Sequence, residues 1–341
     1  MRILIIEVNW LGDVLFSTAA IRSLRRLFPE SFISCLVVPR VREVLEDNPN
    51  INEIIINDEE GLHKGLGGKF RLAGQLREKG FDLAVLFHRS FSRTALAWAS
   101  GIPRRVGYST WKRRVLLTEA VRMPKKDSLH RVDYYLGIVK ALGCDINERG
   151  YDFFIAKQDE EFADEFFKKE GLKENDFVVC LNPGGNWYPK RWPKENFSLL
   201  ADSLIREYGM KVIFSGSPGD VILVDEISAK MKEKPVIAAG KTTLKQSAAI
   251  FKKVNLVISA DSGPLHIAAA MGANVIALFG PTDAAITGPR GKGRVVIIQK
   301  QVDCRIPCYD TDCNDNRCMR AITVSDVLVE VKKLEGNGCR L

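Results

Sequence analysis

Asp261-Ser262-Gly263-Pro264-Leu265-His266 is a run suited to holding an anion. Asp261 and Ser262 are strong helix N-cap types, and Pro264 fits a first helical turn. A helix starting here leaves the Ser262, Gly263 and Leu265 amides without intrahelical acceptors, with the positive end of the helix dipole behind them. Gly263 admits a ligand with no Cβ in the way. The chemistry is phosphate binding. The plain alternative is a capped helix in an α/β sheet; His266, and Phe279-Gly280-Pro281-Thr282 at the next strand end, favour the ligand reading.

Two further constellations carry chemistry. Residues 182–193 (Asn-Pro-Gly-Gly-Asn-Trp-Tyr-Pro-Lys-Arg-Trp-Pro) place Gly185, Asn186 and Lys190 between a strand and a helix. Glycines with a lysine suggest phosphate, although neither the glycine spacing nor the residue after Lys190 fits a Walker A loop. Lys190 is the candidate to neutralise a departing diphosphate, against the alternative of an ordinary exposed lysine. Near the N-terminus, Gly12-Asp13 follows the first apolar strand. One carboxylate there suits a general base acting on a hydroxyl; Asp13 also suits capping the following helix, and the two roles are compatible. The glycine pattern of a dinucleotide site is missing, which argues against an NAD enzyme.

The elements that must position these residues alternate strand and helix. Apolar strand-length runs lie at 2–7, 34–38, 53–56, 81–87, 177–181, 211–214, 236–238, 254–259, 274–279 and 295–299. A helix is expected at 15–27 and another over 265–271, stopped by Gly272. Candidate ligand residues recur just past strand C-termini, where open α/β sheets bind ligands. His88-Arg89-Ser90-Phe91-Ser92-Arg93 is one such edge, and Asp220 another. Residues 59–69 are polar and glycine-rich and read as a mobile loop. Basic residues interleave with Gly107, Tyr108 and Trp111 over 104–131, a surface for an anionic, partly apolar partner. His130 reads as structural.

Asp-Ser-Gly-x-x-His-x-Ala-Ala-Ala, the strand ending Leu-Phe-Gly-Pro-Thr, the Gly-Asp pair at 12–13 and Lys-Arg-Trp-Pro at 190–193 together resemble the ADP-heptose:lipopolysaccharide heptosyltransferases of glycosyltransferase family 9. The resemblance covers nearly the whole chain. It implies the α/β GT-B architecture, two Rossmann-like parallel-sheet domains facing across a cleft: an acceptor domain over 1–157, a donor domain over 158–322, and a last helix over 323–341 that could cross back to the first. It implies metal-independent, inverting transfer of heptose from ADP-heptose to the Kdo/heptosyl–lipid A inner core, with no cofactor beyond that donor. By the same resemblance Asp13 is the base and Lys190 contacts the donor phosphates. Asp261 holds sugar hydroxyls, His266 orients it or a phosphate, Asp220 takes ribose and Thr242 lies in the adenine turn. Gly12, Arg89 and Arg93 are the acceptor candidates. The Lys-Arg-Trp-Pro loop leans towards the second-heptose type. The rivals are a nucleotide-sugar epimerase or hydrolase and a nucleotide-binding protein without turnover.

Size and composition agree. A chain of 341 residues suits two domains, and 46% apolar with 27% charged residues is ordinary for a globular protein. The net charge of +8 calls for anionic partners, and no nucleic-acid-binding motif accompanies it. No apolar run is long enough for a transmembrane helix. Glu7 and Asp13 interrupt the apolar N-terminus, so a first strand and a cytoplasmic protein are expected, peripheral at most on the inner membrane. Cys304, Cys308, Cys313 and Cys318 match no standard zinc spacing; reduced thiols are expected, with a metal or disulfide staple the alternative.

Overall fold

The structure is a computed structural model that describes residues 1–336. The chain divides into two compact units, Met1–Phe154 and Ile155–Leu341.

The first unit holds β1 (Arg2–Ile6), β2 (Phe32–Val37), β3 (Glu53–Ile56), β4 (Leu83–Leu86), β5 (Arg104–Tyr108) and β6 (Glu119–Val121) in the order β3-β2-β1-β4-β5-β6, all parallel. The second holds β7 (Val178–Asn182), β8 (Lys211–Phe214), β9 (Val236–Ile237), β10 (Leu256–Ala260), β11 (Val275–Phe279) and β12 (Val295–Gln299) in the order β12-β11-β10-β7-β8-β9, again all parallel. Each unit is therefore the same doubly wound sheet. The central strands are buried on both faces and read as unbroken apolar runs, Ile3–Ile6 and Leu256–Ile258 among them. In each unit the order reverses between the first and fourth strands, β1/β4 and β7/β10. Connections leave that point towards opposite faces, which opens a crevice at the strand C-termini.

The ten expected strands are present, and β5 and β6 join them from within the basic stretch. The expected mobile loop is folded instead. Asp58 accepts the Gly61 and Leu62 amides, and buried His63 accepts the Asp58 amide through Nδ1. The glycine run then starts the helix Gly65–Glu78, where a Cβ at Gly68 would lie 2.4 Å from the His63 carbonyl carbon.

The boundary falls just ahead of the expected 157 because the segment before it packs back on the first helix, Leu11–Leu27. Tyr151 meets Phe16 edge-on at 5.3 Å, Arg22 pairs with Asp152, and the Asp152 amide donates to Thr18 Oγ1 at 2.8 Å. The last helix, Val324–Gly336, was expected over 323–341 and as a possible return to the first half; residues beyond 336 lie outside the described part. Its apolar stripe, Val327, Val331 and Leu334, is buried in the core of the second unit with Trp192, Phe197 and Ile322. Burying three such side chains contributes roughly 1.5–3 kcal/mol each, which ties the helix to that unit.

Candidate functional site

In the second unit, β7 runs through Gly184-Gly185 into a 3-10 turn, Tyr188–Lys190, and β10 runs through Asp261 into the helix Gly263–Ala270. The two loops meet at the order reversal. Lys190 Nζ donates to Asp261 Oδ2 at 2.7 Å, and Thr287 Oγ1 donates to the same oxygen at 3.4 Å. His266 Nε2 lies 3.1 Å from Asp261 Oδ1. Burial of Asp261 works to raise its carboxyl. The His266 hydrogen bond and the Lys190 charge more than offset that and hold it well below the usual carboxylate range. An ionised carboxylate only accepts, so His266 donates through Nε2. Lys190 is 22% exposed and stands 5.2 Å from the Trp187 ring, so a paired ammonium still reaches the strand-end surface.

Ser262 is the N-cap of the helix Gly263–Ala270, with extended backbone and no side-chain cap, and Pro264 lies in its first turn. That turn carries no acidic residue, so the amides of Gly263 and Leu265 keep the partial positive charge of a helix start. Gly184 lies against Asp220: an added Cβ would be 2.4 Å from its carboxyl carbon. Asp220 accepts the Ser217 amide at 2.9 Å and the Ser217 hydroxyl at 2.6 Å. The Gly185 carbonyl accepts from Arg191 Nε, Asn186 is exposed, and Thr242 shares a hydrogen bond with Ser247. Trp192 donates to the Ile322 carbonyl and packs edge-on against Phe197, anchoring the loop from below. Lys190, Asp261 and His266 thus form one cluster: His266 was expected to orient Asp261 or a phosphate, whereas the Lys190–Asp261 ion pair and the Thr287 contact were not foreseen.

In the first unit, Asp13 is the third residue of the helix Leu11–Leu27, after Gly12; the N-cap is Trp10, with no side-chain bond. The capping alternative for Asp13 is therefore not what the structure shows. Tyr135, buried on the helix Arg131–Lys140, donates its hydroxyl to Asp13 Oδ1 at 3.0 Å. Burial, then the neighbouring Asp13 charge, pushes the Tyr135 phenol well above its ordinary value, so it stays a donor. Glu7, immediately after β1, is 1% exposed. Tyr135 and Glu7 were not singled out as site residues. Glu7 was visible as a charge ending an apolar strand, whereas nothing local marks Tyr135.

Across the order reversal from β1, the His88–Arg93 edge divides. Arg89 is exposed. Arg93 is 5% exposed, with its guanidinium 3.0 Å from Glu59 and hydrogen-bonded to Asn9, so it ties two loops together rather than offering a free surface cation. Burial, reinforced by Arg93, lowers His88 to about 4, which leaves a neutral imidazole. Arg113 is fully buried and donates to the His88 carbonyl at 3.0 Å. His130 caps the helix Arg131–Lys140 by accepting the Val132 amide.

The seven described cysteines are free thiols, Cys304, Cys308, Cys313 and Cys318 among them. Among the described residues no group of three or more His, Cys, Asp or Glu is arranged to hold a metal ion. Nor is any described helix long and apolar enough to cross a membrane.

Comparison with known proteins agrees with the two-sheet fold. The lipooligosaccharide heptosyltransferase 2 of Haemophilus influenzae is 29% identical over 313 residues, 87% of this chain and 88% of that protein. The crystal structure of a family 9 glycosyltransferase from Veillonella parvula superposes with a TM-score of 0.88 at 29% identity, covering 98% of this chain and 96% of that one. E. coli ADP-heptose LPS heptosyltransferase II superposes at 0.81 with 24% identity and 98% of both chains covered, which bears out the expected GT-B class of two parallel-sheet units. The family model for glycosyltransferase family 9 (heptosyltransferase) matches residues 69–316. A chain with this pair of sheets and that match over most of its length is a glycosyltransferase and belongs to family 9, the heptosyltransferase family.

Proposed function

We propose that this chain transfers heptose from ADP-heptose to the inner core of lipopolysaccharide with inversion, at the cytoplasmic face of the inner membrane. The observation that carries the reading is the Lys190–Asp261–His266 cluster at the β7/β10 reversal, beside a helix start free of acidic residues. The substrate names come from the relatives, among them lipooligosaccharide heptosyltransferase 2 and ADP-heptose LPS heptosyltransferase II.

Asp13 accepts the proton of the acceptor hydroxyl as its oxygen bonds to the anomeric carbon. The bond from that carbon to the diphosphate breaks, and the electron pair leaves with ADP. Positioned base catalysis of this kind supplies about 10²–10⁴-fold. Lys190 and the Ser262, Gly263 and Leu265 amides stabilise the charge on departing ADP; one preorganised donor contributes on the order of 10²–10³-fold. Asp261, fixed by His266 and Thr287, orients Lys190 and accepts from sugar hydroxyls. Gly185 and Asn186 border the diphosphate, Asp220 takes the ribose and Thr242 the adenine turn. Arg89, with the helix start at Gly12, meets the carboxylates and phosphates of a Kdo–lipid A acceptor; Arg93 holds that edge in place. Lysine and helix dipole supply the positive charge a metal would otherwise bring, so no metal is needed.

The test is release of ADP from ADP-heptose with and without purified Kdo/heptosyl–lipid A, with EDTA present. Acceptor-dependent, EDTA-insensitive release is expected. Acceptor-independent release would replace the reading with hydrolysis, and tight binding without release would replace it with a non-catalytic role.

A further inference from the structure

The Ser17 hydroxyl sits between two oxygens. Its Oγ is 2.7 Å from the Val14 carbonyl oxygen and 2.9 Å from Glu7 Oε1. A hydroxyl carries one hydrogen. The Val14 carbonyl can only accept, so a full two-centre bond at both contacts, in place of one hydrogen shared between them, takes a second proton, and among these three groups only the Glu7 carboxyl can hold it. The other carboxyl oxygen accepts the Val8 amide at 3.3 Å. We propose that Glu7 is a positioning residue for Asp13: a neutral carboxylic acid that donates to Ser17 Oγ, fixes the turn carrying Asp13, and leaves Asp13 the one negative charge at the end of β1.

Burial supports this assignment. It pushes Glu7 up to about 8, and the Asp13 carboxylate pushes the same way, while the Val8 amide opposes both. The titratable groups facing Glu7 are Asp13 on the first helix, Cys35 on β2 and Tyr135 on the helix Arg131–Lys140. None of the three brings a positive charge. The consequence, which rests on the transfer reading above, concerns the anionic acceptor. A neutral Glu7 adds no repulsion where acceptor carboxylates and phosphates approach Asp13. An ionised Glu7 does, and the Ser17 hydroxyl must then turn from the Val14 carbonyl to donate to it.

The test uses the full chain. Acceptor KM and kcat are measured from ADP release between about pH 6.5 and about 9.5 in wild type and Glu7→Gln, alongside the infrared carbonyl band of a neutral carboxylic acid. In wild type the acceptor KM should rise about tenfold over that range with kcat changing less, the size expected of one nearby charge. In Glu7→Gln the same ratio should stay within about twofold, because the amide keeps the donor and cannot ionise. The neutral-acid band should be present in wild type at neutral pH, fade towards the alkaline end and be missing from Glu7→Gln. A wild-type protein without that band at neutral pH, or matching KM profiles in the two proteins, overturns the proposal. If Gln at this position prevents folding, Ser17→Ala carries the test: loss of the oxygen that takes the Glu7 proton must shift the band, and an unmoved band overturns the proposal. Failure of the transfer reading looks different: no acceptor-dependent ADP release at any pH, with the infrared band still reporting Glu7.

Discussion

Glu7 and Asp261 border the order reversal of their two units from opposite sides, Glu7 after a first strand and Asp261 after a fourth. Each is the first residue after a strand flanking the order reversal, β1 in one unit and β10 in the other, and each is almost fully buried. Their charge states are opposite. Glu7 meets a hydroxyl and an amide, and burial drives it up to about 8. Asp261 is pushed up by burial as well, but His266 and Lys190 reverse the sign and keep it ionised. The helix starts that follow differ in parallel. The first helix carries Asp13 in its opening turn, so its positive end already has an anion; the helix Gly263–Ala270 has none there and is open to a phosphate. On the proposed reading one topology supplies a base in one unit and an anion site in the other, and the partners of one buried carboxyl differ accordingly.

The comparison breaks most visibly at Asp13. Asp13→Asn keeps the shape and the Tyr135 contact but cannot take a proton. Turnover should fall about 10²–10⁴-fold, while ADP affinity, read by calorimetry, stays unchanged. Undiminished turnover would remove the base from the first unit and with it the contrast.

Stability against pH sharpens the same contrast. The folded-state value for Glu7 is raised from 4.5 to about 8. Between those values the unfolded chain releases the proton and the folded chain keeps it, so the contribution is full below the lower value and is lost as pH climbs through the upper one. Relative to Glu7→Gln, wild type should lose roughly 3–5 kcal/mol across this window in urea unfolding. Parallel stability curves would mean that Glu7 is ionised in the fold.

Lys190→Met converts the second carboxyl towards the first type. Asp261 then keeps only His266 and Thr287 as partners, and its proton affinity should rise. ADP binding should weaken about tenfold to a hundredfold, since a charge-assisted contact contributes roughly 1.5–3 kcal/mol. Unaltered ADP affinity would place the diphosphate elsewhere.

How far the sequence reached depended on how local each signal is. The ten apolar strands and the Asp261–His266 turn stand out because each is encoded within a few residues. Arg104-Arg105 hid β5: Arg105 turns its charge onto the Leu116 carbonyl and Arg104 pairs with Glu119 on the three-residue edge strand β6, so a charged run serves as a strand. The stretch 59–69 looked mobile by composition, but Asp58 and His63 organise it from just upstream and within. Lys190 and Asp261 were each visible, yet their ion pair spans 71 positions and needs the parallel β7–β10 pairing to exist. The expectation that Arg93 meets the acceptor was misled in the same way, because its partner Glu59 is brought in by the folded loop.

The smallest expected effect tests how tightly the base itself is held. Tyr135 reaches Asp13 from 122 positions away, from a helix packed against the helix that carries the acid. Its ring is fixed on the other side by Phe87, edge-on at 5.4 Å just past β4, so the hydroxyl has one direction to point. The hydrogen bond fixes the orientation of the Asp13 carboxyl. Tyr135→Phe keeps the ring packing and removes only the hydroxyl. A bond of this kind contributes about 1.5–3 kcal/mol at most, and a solvent water can replace part of it. The expected outcome is a kcat lower by about three- to tenfold with KM for ADP-heptose unmoved. A donor KM that moves with kcat would show that Tyr135 supports the fold of the first unit generally and does not aim its acid.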